Sequence, residues 1–168
     1  TDECMGEVLK EHSYAVIPGF YGTKPDGTIK TFSRGGSDIS GALVARAVKA
    51  DIYENWTDVS GFLMADPRIV KNPKPIETIS YMELRELSYM GASVLHEDAI
   101  YPARITGIPI NIRNTNEPED PGTMITSEAS EEGKKRVIAG IAGSKDFTVI
   151  AIYKDQLSQE RGFVRKLA

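Results

Sequence analysis

Three short apolar runs along the chain have the length of strands in a sheet. YAVIP at residues 14–18 is closed by proline and glycine, IYENW at residues 52–56 is more polar, and IPINIR at residues 108–113 alternates apolar and polar positions. Alternation with a period of two is typical of a half-buried strand. The pattern therefore predicts three strands that are widely spaced in the sequence.

Between these runs the apolar spacing changes to that of helices. Residues 80–90 open with Ser80 and Glu83 at the spacing of a capping box, which predicts a helix start. An earlier helix is predicted over residues 38–48, with an apolar face made of Ile39, Ala42, Leu43 and Ala47.

Glycines mark the expected ends of two helices. Gly91 follows the helix at residues 80–90, and Gly107 follows a third helix that we predict from His96 or Asp98 to Thr106. Strands that alternate with helices predict the α/β class, with parallel pairing and helices on the faces of the sheet.

In open α/β sheets, ligands bind beyond the carboxyl ends of the strands. The segments after Pro18, after Trp56 and before Asp38 are therefore the first places to look for chemistry.

The composition shifts after Gly122. TSEASEEGKKR at residues 126–136 has no apolar periodicity and is typical of an exposed linker. Beyond it, residues 137–141 and 148–153 predict two strands, and residues 162–167 predict the start of a helix. Two strands and part of a helix do not enclose a core, so this second unit is expected to be incomplete.

Charge and composition exclude several classes of protein. The 168 residues carry 20 Lys and Arg against 24 Asp and Glu, a net charge of −4, which argues against a nucleic-acid surface. No apolar stretch approaches the roughly 20 residues of a membrane span. Cys4 has no partner for a disulfide, and with His12 and His96 it offers too few soft ligands for structural zinc. These features favour the reducing cytoplasm.

SRGGSD at residues 33–38 is the densest chemical signal. Gly35 and Gly36 let the backbone approach a ligand, and Ser37 or Asp38 is expected to cap a helix whose amino end attracts anions. Arg34 adds a fork for a carboxylate. A loop with an ordinary helix cap explains the same residues, and the composition leaves both interpretations open.

Three weaker signals accompany it. TDVSG at residues 57–61 follows a predicted strand, and Arg68 follows an Asp-Pro pair, yet turns explain both segments at least as well. GFYG at residues 19–22 matches no phosphate-loop spacing, and the turn residues at 25–27 predict a hairpin. His96 has no nucleophile signature beside it and is expected to be structural.

Taken in chain order, these segments resemble the aspartate kinases of the amino-acid kinase superfamily. The matching segments are GFYG (19–22), RGGSD (34–38), TDVSGFLMADPRIV (57–70), ISYMELRELSYMGASVLHEDAI (79–100), IPINIRNTN (108–116) and PGTMI (121–125). RGGSD separates this family from glutamate 5-kinase, carbamate kinase and uridylate kinase. The resemblance implies a partial three-layer αβα kinase fold over residues 1–125, a linker over 126–136, and the start of an α+β ACT regulatory domain over 137–168.

The resemblance also implies an activity, namely transfer of the ATP γ-phosphoryl group to the side-chain carboxylate of L-aspartate with Mg²⁺. This is the first step of lysine, threonine and methionine synthesis. The residues implied to hold aspartate are Arg34, Ser37 and Asp38. Those implied to bind the nucleotide are Gly35, Gly36, Thr57, Asp58 and Arg68. We assign no catalytic residue and no metal ligand, since phosphoryl transfer depends mainly on positioning and charge neutralisation.

The implied partners are L-aspartate, ATP, and lysine or threonine as an effector at a complete ACT domain. A homo-oligomer is expected, and neither nucleic acid nor membrane is. Within the implied aspartate site, Arg34 would clamp a carboxylate, and Asp38 would receive the ammonium group and reject substrates that lack it.

The chain departs from the family in several places. Leu63 stands where many relatives have a tyrosine beside the adenine, Ser93 where many have an ATP-contacting lysine, and Glu97-Asp98 where many have Pro-Arg. No Lys-Phe-Gly-Gly segment precedes Tyr14, so this polypeptide by itself is not expected to turn over ATP. Both ends look cut, which predicts an open sheet edge and uncovered apolar surface.

Two alternatives remain open at this point. The chain could be a truncated regulatory module that senses an amino acid or pairs with a partner subunit. It could also be another kinase of the superfamily, in which case RGGSD would be coincidental.

Overall fold

A computed structural model describes residues 2–32, 35–89 and 97–143. Its helices are α1 (Asp2–Glu11), α2 (Gly36–Val48), α3 (Tyr81–Tyr89), α4 (Glu97–Arg104) and α5 (Glu131–Lys134). Its strands are β1 (Tyr21–Thr23), β2 (Ile29–Thr31), β3 (Tyr53–Thr57), β4 (Phe62–Leu63), β5 (Pro75–Ile76), β6 (Thr78–Ser80), β7 (Ile110–Asn114) and β8 (Thr123–Thr126). Two of the predicted strands, at residues 52–56 and 108–113, are therefore confirmed as β3 and β7.

A four-stranded sheet in the order β3–β7–β8–β6 forms the centre of the fold. β3 pairs with β7 in parallel, and β6 pairs with β8 in parallel. β7 and β8, however, are antiparallel, so the expectation of parallel pairing throughout is wrong. The physical reason is the connection at residues 115–122, which is shorter than the roughly dozen residues that a parallel crossover requires. The α/β class is confirmed.

The hydrophobic core lies between this sheet and three helices. Ile110, Ile112 and Ile125 are fully buried and form one cluster with residues of α2, α3 and α4. β7 is buried at four of its five positions, so the predicted alternation of apolar and polar residues does not correspond to one exposed face. A strand in the middle of a sheet is covered on both sides, which explains the difference.

Helix α2 packs tightly against β3 because its contact surface is made of small residues. Ala42 and Ala45 are buried, whereas the other residues of the predicted face are half-buried. Gly41 faces the Tyr53 ring, and a Cβ added at Gly41 would collide with the Tyr53 hydroxyl. A larger residue at this position would push the helix away from the sheet.

Two of the predicted helix boundaries are confirmed by their hydrogen bonds. The Ser80 N–H donates to Glu83 Oε2 at 2.8 Å, and the Glu83 N–H donates to Ser80 Oγ at 3.2 Å, which completes the capping box. At the end of α4, Gly107 has a φ of +70°, and the Ile108 N–H donates to Ala103 O at 3.1 Å. These are the features of a Schellman motif with glycine in the left-handed position.

The predicted hairpin is also confirmed. β1 and β2 pair antiparallel, and Gly27 occupies the turn with a φ of +83°. In contrast, residues 14–18 form no strand, and Tyr14 and Val16 are 93% and 100% exposed. A strand needs a neighbour to satisfy its N–H and C=O groups, and none of the described strands pairs with this run.

The prediction for residues 137–141 is wrong. Within the 126–136 segment, Thr126 belongs to β8 and Glu131–Lys134 form the single turn of α5. Residues 137–141 form no strand, and Val137 is 98% exposed. The Ile141 N–H donates instead to Met64 O at 2.7 Å, outside any sheet. The proposed division into kinase part, linker and ACT part stays a prediction.

Some predictions fall outside the described residues. These are the helix stop at Gly91, the strand at 148–153, the helix start at 162–167, and the positions of Arg34, Ser93 and His96. Among the helices that the structure does describe, none is long and apolar enough to cross a bilayer.

Lys49 provides a test of the α2 boundary. It has a φ of +53°, and its N–H donates to Arg46 O in the position that glycine normally takes at a helix end. We expect Lys49→Gly to raise the free energy of unfolding by about 0.5–1 kcal/mol, because glycine removes the Cβ strain at some cost in chain entropy. Urea unfolding measures the change. Lys49→Ala keeps the Cβ and should give no gain, and an equal gain in both variants would contradict this explanation.

Candidate functional site

The amino end of α2 is packed against the GFYG segment. Phe20 has a φ of +76°, and its N–H donates to Ser40 Oγ at 3.0 Å. A Cβ on Gly36 would lie 2.7 Å from both the Phe20 ring and Phe32 Cβ. Gly36 is therefore needed where the two aromatic residues cover the first turn. The two motifs, separate in sequence, form one unit.

The cap of α2 differs from the prediction. Gly35 is the N-cap, with a φ of +62° and no side-chain hydrogen bond, so Ser37 and Asp38 lie inside the first turn instead of capping it. Glycine takes this place because the left-handed conformation is strained for other residues. The first N–H groups of a helix lack intrahelical acceptors and favour an anion. Nucleotide binding by Gly35 and Gly36 stays a prediction, and Arg34 lies outside the described residues.

Asp38 is connected to the sheet through two residues of β3, one at its carboxylate and one at its main-chain carbonyl. Asn55 Nδ2 donates to Asp38 Oδ1 at 3.0 Å and to the Tyr53 hydroxyl at 3.1 Å. The Tyr53 hydroxyl lies 3.4 Å from Asp38 O, to which it donates. Burial raises the pKa of Tyr53, so its hydroxyl is protonated at neutral pH. Asp38 is thus held on the side of the helix that faces β3.

The carboxyl ends of β3 and β7 form a second part of the site. Thr57 ends β3 opposite Asn114, and Thr115 donates both its N–H and its hydroxyl to Thr57 O, at 2.8 and 3.0 Å. Asn114 Nδ2 donates to Ser60 Oγ at 2.9 Å, and Ser60 Oγ donates to Glu117 Oε2 at 3.1 Å. The loops after the two strands are therefore tied together.

Asn55 and Thr57 lie two residues apart on one strand and so point to the same face of the sheet. A strand rises about 6.6 Å over two residues, so Asn55, which contacts Asp38, lies about that far from Thr57 at the end of the strand. Asp58 follows Thr57, is exposed, and accepts the Thr57 hydroxyl at 3.2 Å. The sequence prediction that Thr57 and Asp58 lie at the carboxyl end of a strand is confirmed, although their binding role stays a prediction.

Arg68 is 87% exposed and forms a forked ion pair with Asp66. Its Nη2 lies 2.6 Å from Asp66 Oδ2, and its Nε donates to both carboxylate oxygens. The hydrogen bonds from Arg68 lower the pKa of Asp66 to about 2. The pKa of Arg68 is raised by the same bonds. An anionic ligand at Arg68 would have to share or displace this carboxylate.

A cavity of about 400 Å³ lies between the segment that carries Arg68 and the segment before residue 144. Leu63 and Leu87 supply apolar walls, and Ile141 closes part of the rim. Ser60, Asp66 and Arg68 contribute polar side chains to the lining, whereas Thr57 and Asp58 are not among its lining residues. Of the residues predicted to bind nucleotide, Arg68 therefore lies at the cavity, Thr57 and Asp58 lie at the strand end, and Gly35 and Gly36 lie at the start of α2.

The floor of this cavity depends on Thr123. The Phe62 N–H donates to Thr123 Oγ1 at 2.8 Å, and that hydroxyl donates to Ile76 O at 2.5 Å. Gly61 has a φ of +83°, and a Cβ there would collide with Thr123. One buried hydroxyl thus joins β4 and β5 to the central sheet.

Sequence reasoning missed several of these residues. Asn55, Asn114 and Glu117 were not singled out, and the contribution of Ile141 to the cavity was not foreseen. Asn55 could have been found from the sequence, because residues two apart on a strand lie on the same face and Asn55 precedes Thr57 by two. For Glu117 and Ile141 no local pattern exists, because both depend on contacts between distant segments.

Comparison with known proteins gives a consistent result. A family model described as the amino acid kinase family matches residues 1–114. Aspartokinase 3 of Bacillus subtilis is 44% identical over 159 residues, which are 94% of this chain and 35% of that protein. The chain therefore spans about a third of the length of the curated relatives that it matches.

Solved structures also show similarity to part of an aspartate kinase. The crystal structure of Clostridium acetobutylicum aspartate kinase matches 99% of this chain and 38% of its own, with a TM-score of 0.85 and 61% identity. E. coli aspartokinase III, solved with lysine and aspartate and also with aspartate and ADP, matches 67% of this chain and 25% of its own, with a TM-score of 0.61 and 36% identity. The chain is similar to one part of each of these enzymes.

The Thr123 connection can be tested by removing one hydroxyl. Thr123→Val keeps the shape but leaves the Phe62 N–H and the Ile76 carbonyl without their buried partner, so it should lower the free energy of unfolding by about 2–4 kcal/mol. Chemical denaturation measures this loss. Thr123→Ser keeps the hydroxyl and should lose much less, and a larger loss in the serine variant would contradict the assignment.

The Asp66–Arg68 pair predicts a specific titration. Because the folded pKa of Asp66 is depressed to about 2, its contribution to stability is present above the ordinary value of 3.8 and is lost as the pH falls through about 2. Arg68→Gln should return the Asp66 pKa towards 3.8, as followed by the carboxyl ¹³C shift. Arg68→Lys keeps the charge without the fork and should give an intermediate value. An Asp66 pKa near 3.8 in the unsubstituted chain would show that Arg68 does not form this ion pair in solution.

Proposed function

Because the chain belongs to the amino acid kinase family, we propose that it forms the aspartate-binding and nucleotide-binding part of an aspartate kinase. The observation that carries the proposal is the start of α2, where Asp38 lies in the first turn of a helix whose leading backbone N–H groups favour an anion. Such a turn matches an α-amino acid, which carries both an ammonium and a carboxylate. The identity to aspartokinases supports aspartate as that amino acid.

In this proposal the side chains around α2 bind and orient L-aspartate. Asp38 receives the α-ammonium group, and Ser37 and Arg34 hold a carboxylate together with the helix end. An ammonium–carboxylate contact selects against dicarboxylic acids that lack the amine. Asp38 is half-buried, so the contact is less screened by solvent than one on an open surface.

The chemical step then needs little from the protein. An oxygen of the substrate side-chain carboxylate attacks the γ-phosphorus, a new O–P bond forms, the bond to the bridging oxygen breaks, and ADP leaves. The nucleophile is already ionised at neutral pH, so no proton has to be removed by a general base. Thr57 and Asp58 at the strand end and Arg68 at the cavity act by positioning the nucleotide and neutralising charge.

The cavity beside Arg68 is the proposed place for the nucleotide. Leu63 offers an apolar contact to the base where many relatives have tyrosine. No group of three His, Cys, Asp or Glu side chains suited to a metal occurs in the part of the chain that the structure describes. Asp58 is an exposed carboxylate at the strand end and is the candidate to contact Mg²⁺ that is held mainly by ATP phosphates. Bound Mg²⁺ would neutralise phosphate charge.

We extend the proposal to regulation and cellular context. E. coli aspartokinase III was crystallised with lysine, so lysine or threonine is the proposed class of effector for an assembled regulatory domain. A homo-oligomer in the cytoplasm is the proposed setting.

The test of aspartate binding is a coupled assay of aspartate-dependent ADP release by the natural gene product that contains these 168 residues. Asp38→Asn should raise the KM for L-aspartate roughly 10- to 100-fold, the size of one lost hydrogen bond to a charged group. The KM for ATP should change little, because the cavity is built from other segments.

Asp51→Asn is the matched control, since it removes the same charge from an exposed residue just before β3 and should leave both constants unchanged. Absence of aspartate-dependent ADP release in the unsubstituted protein would refute the proposed function. An unchanged KM for L-aspartate in Asp38→Asn would refute the assigned role of Asp38.

A further inference from the structure

We propose that Asn55 is a positioning residue that holds the Asp38 carboxylate in the orientation that receives the ammonium group of the amino-acid substrate. The inference rests on the proposed function, because it assigns Asn55 a role at the same site.

The burial of Asn55 requires an explanation. It is only 8% exposed, on the face of β3 that contacts α2, and its neighbour across the sheet is Ile112. Burying an amide is unfavourable unless it is hydrogen-bonded, and an aliphatic side chain would suit an apolar neighbour such as Ile112 better. The buried amide of Asn55 is instead satisfied by two acceptors, Asp38 Oδ1 and the Tyr53 hydroxyl.

The two acceptors determine how the amide is oriented. Both N–H groups of Asn55 Nδ2 are used, one towards the carboxylate and one towards the phenol oxygen. The Tyr53 hydroxyl donates its own proton to Asp38 O, so it has a lone pair for the amide. Gly41 keeps room for this hydroxyl. The flipped amide would place its carbonyl against a carboxylate, which is repulsive.

The contact with Asn55 directs the Asp38 side chain away from the start of its own helix. An aspartate in the first turn of a helix can fold back and accept a backbone N–H of its own helix end. The hydrogen bond that the structure shows for the Asp38 side chain comes from Asn55 Nδ2, and the cap residue Gly35 has no side chain. Asn55 holds Oδ1 towards β3 instead, which leaves the second oxygen for an ammonium group and leaves the helix end for the substrate carboxylate.

The test separates positioning from simple packing. In the natural gene product, Asn55→Leu should raise the KM for L-aspartate roughly 10-fold, while the KM for ATP and the inhibition constant of succinate change less than 2-fold. Succinate has the two carboxylates but no ammonium group, so it does not use Asp38. Equal losses for aspartate and succinate would show a general structural defect and overturn the proposal, as would an unchanged KM for L-aspartate.

Asn111→Leu is the matched control. Asn111 is the same residue type, is also 8% exposed, and lies on the adjacent strand β7 opposite Glu54, on the other face of the sheet. Its substitution should leave the ratio of aspartate to succinate binding unchanged. In an Asp38→Asn background, Asn55→Leu should cause no further loss of aspartate binding. An additive loss would mean that Asn55 acts independently of Asp38.

A spectroscopic measurement keeps this inference distinguishable from the proposed function. In the same protein with ¹⁵N-labelled asparagine, Asp38→Asn should move the side-chain amide resonances of Asn55 and leave those of Asn111 in place. If the Asn55 amide resonances do not move, the proposed positioning role of Asn55 is rejected, even if the protein phosphorylates aspartate. If Asn55 responds but no aspartate-dependent ADP release occurs, the contact is established and the proposed function, together with the substrate role built on it, is rejected.

Discussion

Five consecutive residue pairs join β3 to β7 in parallel, from Tyr53 opposite Ile110 to Thr57 opposite Asn114. A slip of one residue would exchange the two faces of β3, so this register decides which side chains meet α2. It directs Asn55 towards the helix and places the carboxyl ends of both strands side by side. The proposed amino-acid part and the proposed nucleotide part of the site are therefore both positioned by the same pair of strands.

The opposite face of the same strands supports the loop beyond β7. Arg113 lies 4.8 Å from the centre of the Trp56 ring and 3.4 Å from Glu54 Oε1, and its Nη2 donates to Pro118 O at 2.6 Å. Through these contacts the register of β3 and β7 also fixes the connection to β8, which carries Glu117 towards Ser60. Each face of one strand pair thus holds a different part of the site.

The sequence predicted the features that depend on neighbouring residues. The capping box at Ser80, the hairpin at residues 25–27 and the glycine stop at residue 107 are each decided within a few positions, and all are confirmed. The α/β class followed from alternation of elements, whereas the antiparallel β7–β8 pair depends on a short connection. Residues 14–18 and 137–141 have strand-like composition, but a strand also requires a partner, and no local pattern supplies one.

The candidate site was only partly predictable for the same reason, since some of its contacts join residues that are distant in sequence. Arg68 and Thr57 were recognisable because charged and hydroxyl groups follow apolar runs, but the Asn55 contact with Asp38 joins positions 17 residues apart. That contact depends on how α2 docks on the sheet, which in turn depends on Gly41 and the alanines of the helix. Function at such a site is therefore decided by packing that single motifs do not reveal.

The motif glycines illustrate this most directly. Gly36 makes room for the Phe20 ring and Phe32 Cβ, Gly61 for the hydroxyl of Thr123, and Gly122, with a φ of +68°, for the carbonyl of Ile112. Each lies in a segment that resembles the kinase family, yet each is explained by contact with another segment. Among the residues that the structure describes, the groups that we propose for ligands are few: the carboxylate of Asp38, the N–H groups at the start of α2, the strand end at Thr57 and the guanidinium of Arg68. In the proposed function so few groups bind the substrates that a side chain which orients one of them, as we propose for Asn55, affects binding without touching a ligand.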